Sequence, residues 1–157
     1  MKQNAIAILL FLVPPQALAV ELADYAGEWK GNGTYSEKGS SESSGRLTCR
    51  LDITSPKADV IVISGRCAAP AGSRGFKTQV TKTGPGSIAG LELSVTKPRT
   101  SAGRLNSSGL RLDGADAEGS FFFQLSSPGS GSMEMRSSST TAKKTEAAQV
   151  QLKKTKP

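Results

Sequence analysis

The sequence predicts an all-β domain of eight or nine short antiparallel strands, closed as a barrel or packed as a sandwich. Three observations predict it. Turn clusters recur about every ten residues. Gly, Ser, Thr and β-branched residues fill the stretches between them. No long segment repeats with the helical period. The 157 residues suffice for one modest domain, and 20 Lys+Arg stand against 13 Asp+Glu.

Met1–Ala19 comes before that domain. Lys2, the apolar run Ala5–Val13 and the small-residue ending Ala17-Leu18-Ala19 have the layout of a secretory signal peptide cleaved after Ala19. The apolar run is far shorter than the ~20 residues that span a bilayer. No later stretch is apolar enough to do so. The first cysteine is Cys49, so no thiol is placed to carry an N-terminal lipid. The expected product is residues 20–157, a single domain in the periplasm or secreted, and not a lipoprotein.

Leu22–Ala26 is expected to make one helical turn. Strands are then expected over Gly27–Ser36, Arg46–Thr54, Val60–Ala68, Phe76–Lys82, Ser87–Thr96, Arg104–Leu112, Gly119–Leu125, Ser132–Ser138 and Ala147–Lys153. In the first, Trp29, Gly31, Gly33 and Tyr35 share a face, which turns the single Trp inward. The second and third form a hairpin around Ser55–Asp59. Pairing Ile53 with Ile63 sets Leu51 opposite Gly65 and Cys49 opposite Cys67, all on one face with Leu47 and Ile61. Arg50, Asp52 and Thr54 occupy the other face. Directly opposed strand residues meet the separation a disulfide requires, and an exported chain meets an oxidant. A structural Cys49–Cys67 bond is therefore expected, and no Cys-x-x-Cys spacing supports redox chemistry.

Later strands continue the alternation. Leu91, Leu93 and Val95 are expected inside, with Glu92, Ser94 and Thr96 outside. Phe121, Phe123 and Leu125 point one way and Phe122 the other. Met133 and Met135, then Val150 and Leu152, repeat the pattern. Pro98, Pro128 and the runs Ser36–Gly45, Ser126–Ser132 and Ser137–Ala142 read as connections.

The chain has no His, the residue most general-base, triad and metal mechanisms use near neutral pH. No Gly-x-Ser-x-Gly elbow and no Ser-x-x-Lys dyad replaces it. Asp113, Asp116 and Glu118 lack the spacing of a calcium loop and read as turn residues. Gly84–Gly90 lacks dinucleotide-binding spacing. The protein is accordingly expected to act without catalysis, without cofactor and without metal. Lys143-Lys144 and Lys153-Lys154-Lys156 read as a solvated edge, with a protein or an anionic envelope polymer as the functional alternative partner. No nucleic-acid module is recognisable.

Gly27-Glu28-Trp29-Lys30-Gly31-Asn32-Gly33-Thr34-Tyr35 resembles the opening of calycin-type barrels. Lipocalins have Gly-x-Trp there, and nitrobindin-like haem-binding barrels carry the longer run. The resemblance implies a lipocalin-like barrel closed at one end by Trp29. Haem does not follow from it, because that family holds the iron with a His; Tyr25 or Tyr35 would have to substitute. A small apolar ligand is the expected partner, with Trp29, Tyr35, Leu51, Ile63, Phe76, Leu93, Phe121, Phe123, Met133 and Met135 lining its cavity. Gly27-Glu28-Trp29 and Cys49-Arg50-Leu51-Asp52-Ile53 also partly resemble Inh-type periplasmic metalloprotease inhibitors. That resemblance would place function on Val20–Tyr25 instead.

Overall fold

The computed structural model of the protein describes residues 20–39, 41–70, 72–94 and 98–156. The expected signal peptide lies outside them. A 3-10 turn, Leu22–Tyr25, leads into ten antiparallel strands: β1 Gly27–Gly39, β2 Ser43–Lys57, β3 Val60–Ala69, β4 Gly72–Gly84, β5 Ser87–Glu92, β6 Thr100–Asn106, β7 Gly109–Asp116, β8 Gly119–Ser126, β9 Ser132–Thr141 and β10 Lys144–Lys156. Each strand pairs with its neighbour in sequence, and β1 also pairs with β10, so the sheet closes into one barrel.

The β2–β3 hairpin has the expected register: Ile53 faces Ile63, Leu51 faces Gly65, and Cys49 is bonded to Cys67. The runs Ser36–Gly45 and Ser137–Ala142, expected as connections, lie largely in β1, β2 and β9, and two expected strands also differ. The segment expected as one strand, Arg104–Leu112, belongs to β6 and β7, separated by a turn in which the Asn106 side chain accepts the Ser108 amide at 2.9 Å. Leu105 and Leu110 both point inward although their numbers differ in parity, and only a turn between them allows this.

Strand β5 is the second departure. Ile88 and Gly90 face the interior, so Leu91 lies on the outer side of the wall, and the strand stops at Glu92. Leu93 is 42% exposed and lines nothing inside. Gly90 explains the reversal: a Cβ there would lie 2.9 Å from a methyl of Leu112 and 2.3 Å from the Ser101 hydroxyl. Val95 falls outside the described residues.

The closing seam accounts for the glycines of β1. A Cβ on Gly31 would sit 1.7 Å from the carbonyl oxygen of Gln151, and one on Gly33 would sit 1.8 Å from that of Gln149. The β1 and β10 backbones approach more closely than any side chain permits, which is what shutting a strongly coiled barrel demands.

One end of the barrel is solid. Trp29, Leu51, Ile53, Ile61, Ile63, Val80, Ile88, Leu110, Leu125, Met133, Val150 and Leu152 fill it, and Leu22 and Tyr25 cover it from below. The Trp29 indole N–H donates to the Tyr25 carbonyl at 2.9 Å, and Lys82 on β4 holds Glu21 at 2.9 Å. That bond to the Glu21 carboxylate raises the Lys82 pKa. Each fully buried Leu or Ile here contributes about 2 kcal/mol by leaving water. Val20–Tyr25, the stretch on which the inhibitor reading depends, serves in this structure as the barrel's plug.

Candidate functional site

The opposite half of the barrel contains an open cavity of about 560 Å³. Its position follows from residue size along the inward rows. On β9 the row runs Met133, Met135, Ser137, Ser139, and on β10 it runs Leu152, Val150, Ala148, Glu146. Side chains shrink and turn polar toward the mouth, so the interior is left unfilled there.

Aromatic rings line the cavity without filling it. Phe76 lies directly across from Gly65, Phe121 from Gly114 and Tyr35 from Gly45. In each pair the ring covers the glycine: an added Cβ would meet the Phe76 ring at 2.2 Å, the Phe121 ring at 2.3 Å and the Tyr35 ring at 3.0 Å. A glycine opposite each ring therefore lets it lie against the wall. Phe123 packs against Phe76 at 5.8 Å between centroids, and Leu47, Leu112 and Met135 complete an apolar floor. Ser101, Ser137, Ser139 and Thr78 add hydroxyls above it.

The mouth is charged. Lys144 reaches Glu146 at 2.8 Å and Glu37 at 3.2 Å, and Arg74 reaches Glu146 at 3.2 Å. The hydrogen bond from Lys144, then the charge of Arg74, hold the Glu146 carboxyl below the usual carboxylate range. Across the opening, Arg99 lies 4.3 Å over the Phe121 ring and 2.7 Å from Asp116. Asp116 accepts the backbone amides of Glu118 and Gly119, and the Glu118 bond is the main cause of its lowered pKa. Asp113 pairs with Arg111, whose guanidinium covers the outward Phe122 at 4.2 Å. Turn and rim ion pairs thus occupy this acidic segment. Glu92 stands at the mouth with the Ser94 hydroxyl donating to it at 3.3 Å.

Of the residues expected to line a cavity, Tyr35, Phe76, Phe121, Phe123 and Met135 do so. Trp29, Leu51, Ile63 and Met133 do not; they are packed in the solid half below it. Leu93 lies outside the barrel wall. The serine wall, Glu92 and Arg99 were not anticipated. Glu92 follows the parity of Gly90 on β5, and Ser137 and Ser139 continue the Met133–Met135 row on β9.

The architecture has a solved counterpart. The barrel is similar to a phycobiliprotein lyase. That structure, an S-type lyase from Guillardia theta, superposes with a TM-score of 0.64 at 13% identity, covering 87% of this chain and 91% of the other. No protein-family model matches the chain, and no curated protein matches it in sequence. The similarity shows the fold, a single closed antiparallel barrel. It also corrects the expectation of a protein that acts without catalysis, since a barrel of this build is described as a lyase.

Proposed function

We propose that the protein binds a small ligand with an apolar body through the open end of its barrel. The observation that carries this reading is the cavity of about 560 Å³, within the size range of small-molecule sites. It has an apolar floor, a hydroxyl wall and a charged mouth. These features suit a ligand whose rings or chain rest on Phe76, Phe123, Leu112 and Met135 while its polar substituents meet Ser101 and Ser137. A barrel similar to a lyase fits such a role.

Export to the periplasm or the medium after cleavage at Ala19 is part of the same proposal. The Cys49–Cys67 disulfide supports it, since such bonds persist in oxidising compartments. Among the described residues no helix is long and apolar enough to cross a membrane.

Native mass spectrometry of the protein purified from its own source tests the proposal. The expected result is a chain beginning at Val20, gaining two hydrogens on reduction and carrying a reproducible noncovalent small molecule. Ser137→Trp, which fills the lumen, should remove that mass while the barrel stays folded. A bare wild-type chain, or a mass retained by the filled variant, would overturn the lumen reading.

A further inference from the structure

We propose that the outer face of β10, β1, β2 and β3 is a docking surface for a linear polyanion, a flexible chain bearing phosphate or carboxylate groups. This inference is independent of the lumen. In the closed sheet Lys153 pairs with Lys30, Lys30 with Arg50 and Arg50 with Arg66, and all four residues are exposed. Like charges directly opposite one another weaken a sheet, so an unbroken row of four cations works against folding. An anionic partner turns that cost into attraction.

Little else in the barrel compensates the row. Arg50 is held by Glu28 at 3.0 Å, whereas among the described residues Lys30, Arg66 and Lys153 enter no ion pair. The next row toward the mouth, Gln151, Asn32, Thr48 and Ala68, carries no charge, and Arg46 follows beyond it. The acidic neighbours Glu28 and Asp52 lie on the other side of the row, and Glu134 on β9, diagonal to Lys153, is taken up by Arg136, Gln149 and Gln151. On the far wall Arg104 also faces a cation, Arg111, but there Arg111 is clamped by Asp113 and Arg136 is paired with Glu134.

The shape selects a flexible polymer. Three steps between strands, at about 4.8 Å each, carry the row some 14 Å around roughly a third of a closed ten-stranded barrel. A planar bilayer meets so convex a face at one or two heads, while a flexible chain follows it. No large apolar side chain is exposed along the row to enter a membrane. No aromatic ring adjoins it to stack a base, which disfavours single-stranded nucleic acid.

The test uses fluorescently labelled long-chain polyphosphate, with anionic phospholipid vesicles and a single-stranded oligonucleotide of matched charge as competitors. Binding to the wild-type chain should weaken steeply with salt and fall at least tenfold in Lys30→Gln/Arg66→Gln/Lys153→Gln. Arg104→Gln/Arg111→Gln/Arg136→Gln removes the same charge from the far wall and should change affinity less than threefold. The Cys49–Cys67 bond and the near-ultraviolet signal of Trp29 report that each variant is folded. Equal weakening by both triple variants would reduce the effect to net charge and overturn the proposal. So would preferred binding of vesicles or oligonucleotide, or no binding of polyphosphate.

Discussion

The two halves of the barrel share one sheet, one alternation and most of the same strands, yet one is solid and the other hollow. On β9 two residues mark the boundary: Met133 is packed among Leu and Ile, and Met135 lines the cavity. Inward residues of the closed half are large and branched, and a 3-10 plug caps them. In the open half, many inward positions are serine, alanine or glycine, and the rings of Tyr35, Phe76 and Phe121 lie over glycines. Room inside a barrel therefore comes from where the small residues fall in the register. Overall hydrophobicity does not decide it.

The strongest way to break this comparison is to empty the solid half. Trp29→Ala should cost about 4 kcal/mol, because the buried indole and its bond to Tyr25 are both lost. Urea unfolding measures it. A variant as stable as the wild type would mean that the closed half is not the stabilising one. Next comes the disulfide, which pins β2 to β3 between the halves across 18 residues of sequence. Replacing both cysteines by serine should cost about 3 kcal/mol in the same assay.

Glycine substitutions sharpen the contrast further. Gly114→Ala presses on the Phe121 ring, which has the cavity to move into, so the loss should be only about 1–2 kcal/mol, with ligand affinity lowered as the ring enters the lumen. Gly31→Ala meets the backbone oxygen of Gln151, which has nowhere to go, and should be the more damaging of the two. Equal losses would contradict the assignment of rings to yielding walls.

The smallest effect is electrostatic. Glu146 and Asp116 have lowered pKa values in the folded state, so their contribution is present above the ordinary carboxylate range and is lost as pH falls through the folded values. Acidification below about pH 4 should loosen the mouth before the core. Amide exchange at Asp116–Gly119 and Thr141–Lys144 should accelerate while protection around Leu51 and Ile63 persists.

Much of this architecture was legible in the sequence where several constraints coincided. The β2–β3 hairpin was fixed by two apolar periodicities and a cysteine pair that agree on one register. Alternation alone was weaker. Leu91 and Leu93 satisfy period two whichever way the strand faces, and only the contacts of Gly90 with Ser101 and Leu112 decide the face. The extent of the cavity was hidden for a related reason: Gly65 matters because Phe76 is its partner, and Gly114 because Phe121 is. The cationic row was hidden likewise, its members lying between positions 30 and 153 and meeting only when β1 closes on β10 and β2.

The most direct test of the hollow and solid halves is the methyl spectrum of residues 20–157 labelled with carbon-13 at methionine, titrated with an aromatic amphiphile such as 1-anilinonaphthalene-8-sulfonate. Ring currents from the bound probe should shift the Met135 methyl while the Met133 methyl stays in place. Binding that leaves both methyls unmoved, or that moves Met133 with Met135, would contradict that division of the barrel.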